Sequence, residues 1–82
     1  MKVHSLKTWP GFFRAVALGL KTFEVRKDDR GFEVGDHLSL EEWDPNTATP
    51  TGDTVLRRVT YKLAGGQFGI EAGYCVLGLG AP

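Results

Sequence analysis

Five segments of the chain have the pattern of strands, and the first four of them alternate between apolar and polar residues, as strands with one buried face do. The five segments are Lys2–Leu6, Thr22–Arg26, His37–Trp43, Thr54–Leu63 and Tyr74–Leu79. In the last segment both the odd-numbered and the even-numbered positions are apolar, as is typical of a central strand whose two faces are both covered. The pattern therefore predicts five strands.

One segment between the first two strands has helical periodicity instead. Pro10 suits the first position of a helix because its missing N–H would be unpaired there in any case, and Thr8 or Trp9 is available as the N-cap. Gly19 can end the helix in the left-handed conformation. The residues expected on the buried helical face are Phe12, Phe13, Val16, Ala17 and Leu20.

Turn residues separate the strands. We expect turns at 27–31 and 35–36, and a long hairpin tip at 44–53, which is rich in Pro, Asn, Gly, Thr and Asp. Leu38 and Leu40 should face inward between them. The predicted fold class is mostly β with α (α+β), a small and largely antiparallel barrel of about five to six strands with a covering helix, in a single domain over residues 1–82.

Composition narrows the classes of function. The 82 residues are 41% apolar and formally neutral, which suits one folded domain and argues against a binder that relies on bulk positive charge. The charge is uneven, however: residues 1–30 carry +4, residues 31–54 carry −6 and residues 55–82 carry +2. A local basic surface is therefore compatible with neutrality.

Cysteine usage and targeting signals exclude further classes. Cys75 is the single cysteine and is expected to be a small buried apolar residue, so no disulfide framework is predicted. No continuous apolar leader or membrane-length segment is visible. We expect a cytoplasmic protein, a monomer, with no membrane association, no metal and no cofactor.

The strongest candidate for chemistry is the second predicted strand. Phe23 and Val25 are expected to face the core, which leaves Thr22, Glu24 and Arg26 on the outer face, close to Lys21. A guanidinium can bind phosphate or a base edge with two hydrogen bonds, and a carboxylate between cations could accept a proton or an exocyclic amine. The alternative is an ion-pair ladder on a solvated face, which would contribute little stability.

Three residues elsewhere could extend such a site. Lys7 flanks the first strand, and Trp9 is either a stacking platform for a base or a hydrophobic staple at the start of the helix. Trp43 lies on the opposite face of its strand from Leu38 and Leu40, so it is expected at the surface or at a barrel rim. An exposed Trp is a candidate for ligand contact, although rim packing is an alternative.

These residues form a pattern that resembles the ASCH superfamily, and in particular its short bacterial and phage members of unknown function. Its central element is Gly19 two residues before Lys21, with Arg26 five further on. The resemblance covers nearly the whole chain and runs through His4, Leu6-Lys7, Pro10–Phe13, Gly19–Arg26, Asp29–Phe32, Val34–Asp36, Leu38–Leu40 and Gly69–Tyr74. It implies a PUA-like barrel whose cleft between helix and barrel takes RNA or a modified nucleobase, with Lys21, Arg26 and the Asp29-Arg30 turn at that cleft.

Some ASCH proteins are hydrolases that remove the acetyl group of acetylcytidine with a threonine nucleophile, a lysine and a glutamate. The lysine matches Lys21, but the threonine position is occupied by Glu24 in this chain. Thr22 could substitute as the nucleophile and Glu71 could supply the carboxylate. This departure from the pattern argues against that particular activity.

Three functional hypotheses follow. The leading one is a nucleic-acid-binding module, RNA before DNA, in which Lys21, Arg26 and Arg30 contact phosphate or a base edge and Trp9 or Trp43 stacks. The second is a hydrolase acting on RNA or a modified nucleoside, with Lys21, Glu24 and Thr22 as catalytic residues. The third is a protein-interaction adaptor that uses the acidic hairpin at 44–53.

Overall fold

A computed structural model describes residues 1–82. It contains five strands and one helix, and no helix is long and apolar enough to cross a membrane. In chain order the elements are β1 (Val3–Thr8), α1 (Pro10–Ala17), β2 (Phe23–Lys27), β3 (His37–Asp44), β4 (Thr49–Ala64) and β5 (Tyr74–Gly80). The expected elements are thus all present, in the expected order.

The strands form one curled sheet in the order β1-β3-β4-β5-β2. β1 pairs with β3 in parallel, and the other three pairings are antiparallel. The curl makes a half-barrel, which confirms the predicted mostly β architecture with one helix. β1 and β2 are the two edge strands, and no ladder of backbone hydrogen bonds joins them.

The core lies inside the curl. It is formed by ten buried apolar residues: Leu6, Phe13, Val16, Phe32, Leu38, Leu40, Val59, Cys75, Leu77 and Leu79. The inward orientation predicted for Leu38 and Leu40 and the burial predicted for Cys75 are confirmed. Burial also raises the pKa of the Cys75 thiol, and the negative charge of Asp28 acts in the same direction.

The helix ends close to where the sequence predicts, but it buries fewer residues than expected. It ends at Ala17, and Leu18 and Gly19 donate their N–H groups back to Arg14 and Val16. Gly19 has φ +76°, so the predicted left-handed ending is confirmed. The chain turns away there, which leaves Leu20 exposed, and Phe12 and Ala17 lie on the solvent side of the helix. The expected burial of these three residues is wrong, and only Phe13 and Val16 of the predicted face pack into the core.

The hairpin between β3 and β4 also differs from the prediction. Residues 44–53 are not all loop, because Trp43 pairs with Pro50 and Asp44 pairs with Thr49. The tip is therefore confined to residues 45–48, where the Asp44 carboxylate accepts the N–H of Asn46. A composition rich in turn residues concealed a strand that is stabilised by its partner.

Candidate nucleic-acid interface

The two faces of β2 are the reverse of the prediction. Phe23 and Val25 are exposed, whereas Glu24 is 3% exposed. Glu24 lies opposite Leu77 in the neighbouring strand, so its side chain shares the inner face with a fully buried leucine. The expectation of an apolar inner face and a charged outer face on this strand is therefore wrong.

Two cations compensate the buried Glu24 carboxylate. Arg26 donates from Nε and Nη2 to Glu24 Oε1, at 3.0 and 2.9 Å. Lys21 donates to Oε2 of the same carboxylate, and at 2.7 Å to the carbonyl oxygen of Phe23. A buried carboxylate is tolerated only when it is paired in this way, so Glu24 fixes the positions of both cations.

Arg26 also bridges the two edges of the sheet. Its Nη2 donates to the carbonyl oxygen of Lys7 and to the hydroxyl of Thr8, each at 3.1 Å. β1 continues two residues further than predicted. Thr8 therefore lies on the same inward face of the strand as His4 and Leu6, and it is 4% exposed. A side chain thus joins β1 to β2 where no backbone ladder does.

Exposed aromatic and aliphatic side chains surround this charged group. Trp9 and Phe12 come from the start of the helix, and Phe23 and Val25 come from the outward face of β2. The ammonium of Lys21 lies 4.8 Å from the centre of the Phe23 ring and 5.9 Å from that of Phe12, within cation–π range. Together they enclose an open cleft of about 520 Å³, whose remaining lining residues are Lys7, Thr8, Lys21, Glu24 and Arg26.

The cleft presents hydrogen-bond donors to a ligand and few acceptors. Both oxygens of Glu24 are engaged, and the Thr8 hydroxyl accepts from Arg26 and points to the carbonyl oxygen of Leu6. Lys21 uses two of its three protons, and Nη1 of Arg26 makes no hydrogen bond within the chain. The arrangement therefore favours ligands that carry anionic or carbonyl oxygens.

The structure brings most of the predicted site residues together. Lys7, Trp9, Lys21, Glu24 and Arg26 all line the cleft. The role suggested for Glu24, acceptance of an exocyclic amine or of a proton, does not fit a carboxylate that is buried and already bonded to two cations.

Thr22 is not part of the cleft. It lines another depression beside the end of the helix, together with Arg57 and the C-terminal residues, and Lys21 borders both this depression and the cleft. The expectation that Thr22 and Glu24 share one strand face is wrong, since β2 begins only at Phe23.

The remaining candidates lie beside the cleft. Asp29 and Arg30 line a smaller adjoining depression, to which Arg26 also contributes. Trp43 is half-buried and does not line the cleft, but the Lys7 ammonium lies 4.1 Å from the centre of its indole ring. Trp43 therefore positions a cleft cation and does not itself offer a free stacking face at the cleft.

Sequence reasoning missed four residues that line the cleft. Phe12, Phe23 and Val25 were assigned to the core, and Thr8 only to the helix cap. Extending the alternation of His4 and Leu6 by two positions would have placed Thr8 on the inner face of β1. No local signal identifies the outward face of β2, because its orientation depends on distant partners.

A second buried carboxylate lies outside the cleft. Asp36, 2% exposed, accepts from the N–H groups of Lys2 and Glu33 at 3.1 Å and bonds to Nε2 of His4 at 2.9 Å. These interactions lower the pKa of Asp36 from 3.8 to about 2, and the hydrogen bond with His4 has the largest effect on it. They join β1 to the turn before β3.

Comparison with known proteins places the chain in a family. The sequence profile of the domain of unknown function DUF3850 matches residues 3–79, from the start of β1 almost to the end of β5. The chain belongs to the DUF3850 family. The cleft and the second carboxylate both lie within the matched DUF3850 region.

A phage protein is a relative of this DUF3850 chain. The uncharacterized 12.9 kDa protein in the GpA 3′ region of Escherichia phage P2 is 41% identical over 59 residues, which is 72% of this chain and 52% of the phage protein. The chain thus spans about half the length of that relative.

Proposed function

We propose that this DUF3850 chain is an ASCH-type, PUA-like module that binds single-stranded RNA through the cleft between α1 and β2. The observation that carries the proposal is the cation pair of Lys21 and Arg26, held by a buried carboxylate and edged by exposed aromatic rings. The half-barrel with one covering helix and the sequence resemblance to ASCH proteins support it.

The two parts of the cleft suit the two parts of a nucleotide. Trp9 is the exposed ring of the cleft with no cation over it, beside Phe12 and Phe23, which the Lys21 ammonium approaches; stacking of a base on such a ring contributes about 1–3 kcal/mol. The spare protons of Lys21 and Arg26 suit a phosphate or the oxygen atoms of a base edge. A cleft of about 520 Å³ is within the usual range for small-ligand sites and has room for one unpaired nucleotide.

Binding has more support in the geometry than hydrolysis. The hydrolase alternative needs a nucleophile beside both Lys21 and Glu24, and Thr22 lines a depression that Lys21 borders but Glu24 does not. The single hydroxyl of the cleft, that of Thr8, is 4% exposed and already bonded to Arg26. A screen for products from modified nucleosides and labelled RNA would reopen the hydrolase alternative if it found turnover.

The test is the binding of a fluorescently labelled hexauridylate at low salt, measured by anisotropy. Lys21→Ala should weaken binding about tenfold or more, because a charge-assisted hydrogen bond is lost. Arg58→Ala is the matched control, since it removes one positive charge from an exposed residue that lines none of the three depressions.

Two results would contradict the proposal. One is the absence of saturable binding to wild-type protein, and the other is an equal effect of Lys21→Ala and Arg58→Ala. Thermal melting of both variants checks that they remain folded. A parallel titration with hexadeoxyuridylate tests the preference for RNA.

A further inference from the structure

The cleft does not end at Arg26. Arg26 also lines a second, smaller depression of about 170 Å³ on the other side of its guanidinium, with Leu6, Lys27, Asp29, Arg30 and Phe32. Because one side chain forms a wall of both, the two depressions are neighbours along the gap between β1 and β2, and the Arg26 guanidinium, which bonds across to β1, lies between them.

Two arginines bond to β1 along this gap. Nη1 of Arg30 donates to the carbonyl oxygen of Ser5 at 2.7 Å, and Nη2 of Arg26 donates to that of Lys7. The two carbonyls are two residues apart on one strand, hence about 7 Å. This spacing is close to that of neighbouring phosphates in an unstacked nucleic-acid strand.

The second depression differs from the first in what it can hold. Its volume is a third of that of the cleft, and its exposed charged residues are Lys27, Arg30 and Asp29. Nε and Nη2 of Arg30 make no hydrogen bond within the chain, so they are free to bind an anion. The small volume and the excess of cations over Asp29 suit a phosphate better than a base.

We propose that the ligand is a single strand of at least two nucleotides that runs along the gap between β1 and β2. One base occupies the aromatic cleft, and the phosphate of a neighbouring nucleotide binds Arg30 and Lys27. The inference rests on the proposed function and adds the length and the path of the ligand.

The experiment compares uridine 5′-monophosphate with hexauridylate on three proteins: wild type, Arg30→Ala and the charge-matched control Arg58→Ala. The hexamer should bind the wild type about tenfold more tightly than the mononucleotide does. Arg30→Ala should remove about three- to tenfold of the hexamer affinity, leave mononucleotide affinity unchanged, and reduce the slope of log affinity against log salt by about 0.7, the value for one phosphate contact on a single strand.

Lys27→Ala provides a second variant, because Lys27 is exposed and its side chain makes no hydrogen bond or ion pair within the chain. It should reproduce the length-dependent loss without altering the melting temperature. A mononucleotide that binds as tightly as the hexamer, or an Arg30→Ala effect no larger than that of Arg58→Ala, overturns this inference and leaves the proposed function standing. If neither the mononucleotide nor the hexamer binds, both this inference and the proposed function are overturned.

Discussion

The chain buries two carboxylates, and their surroundings differ. Glu24 is 3% exposed and is bonded to two long cationic side chains. Asp36 is 2% exposed and is bonded to two backbone N–H groups and an imidazole. Both arrangements satisfy the requirement that buried charge be paired, so burial alone does not distinguish a functional group from a structural one.

The difference lies in the donors that remain after each carboxylate is satisfied. The backbone amides around Asp36 have no further protons to offer, and its partner His4 is itself buried against the ring of Phe32. The cations around Glu24 are partly exposed, 18% for Lys21 and 24% for Arg26; both line the cleft, and both keep protons that are not used within the chain. Glu24 therefore holds cations whose spare donors remain at the cleft, whereas the groups around Asp36 are used up within the fold.

The largest effect is expected from Glu24→Gln. The neutral amide would leave Lys21 and Arg26 without a counter-charge in a partly buried site, so the free energy of unfolding should fall by about 3 kcal/mol. Affinity for hexauridylate should fall as well, because the two cations would lose their fixed positions. Urea unfolding and anisotropy measure the two effects.

Glu71→Gln is the control, since Glu71 is exposed and its side chain makes no hydrogen bond or ion pair. It should change neither quantity. If Glu24→Gln were as stable as Glu71→Gln, the view of Glu24 as the organiser of the cation pair would be wrong.

Asp36→Asn should separate stability from binding. The amide can accept only at one oxygen, so at least one N–H of the cluster loses its acceptor, and about 2 kcal/mol of stability should be lost in urea unfolding. Hexauridylate affinity should be unchanged when measured well below the melting temperature. A loss of affinity comparable to that of Glu24→Gln would contradict the division of roles.

The pH dependence of stability gives a second test of Asp36. Its pKa in the folded protein, about 2, is below the ordinary value of 3.8, so its contribution is complete above about pH 5 and is lost as the pH falls through 2. The stability difference between wild type and Asp36→Asn should therefore shrink across that interval. A difference that stayed constant from pH 6 to pH 2 would show that ionisation of Asp36 is not involved.

The same contrast explains what could be predicted from the sequence. Alternation and turn residues predict the five strands and the helix, because both are consequences of local geometry. Lys21, Glu24 and Arg26 could be grouped because they lie within six residues of one another. These parts of the prediction needed no tertiary information.

The orientation of β2 could not be predicted in this way. A period of two identifies the two faces of a strand but does not say which one is buried. Because Phe23 and Val25 are apolar, the sequence suggests that their face is the buried one. The structure buries the other face because Arg26, which neutralises Glu24, also finds hydrogen-bond acceptors on β1. These acceptors are the carbonyl oxygen of Lys7 and the hydroxyl of Thr8, 19 and 18 residues away. A buried ion cluster with distant partners leaves no local periodic signal.

Thr8→Val is expected to have a smaller effect than either carboxylate variant. It keeps the shape of the buried side chain and removes the hydroxyl that accepts from Arg26 Nη2. Since Nη2 also bonds to Lys7 and Glu24, the cost should be about 1 kcal/mol in urea unfolding, with about a threefold loss of hexauridylate affinity. Thr60→Val, at an exposed strand position, is the matched control; equal effects of the two substitutions would argue against a role for the Thr8 hydroxyl.

The smallest effect concerns Lys7, a cation of the cleft that is held by an aromatic face and not by a carboxylate. Its ammonium lies 4.1 Å from the centre of the Trp43 ring. A double-mutant cycle with Lys7→Met and Trp43→Leu should give a coupling of about 0.5 kcal/mol in urea unfolding, because cation–π pairs at exposed sites are weak. Additive effects would mean that the ring does not position Lys7. A coupling of this size, beside the larger cost of Glu24→Gln, would show that the buried carboxylate dominates the arrangement of positive charge at the cleft.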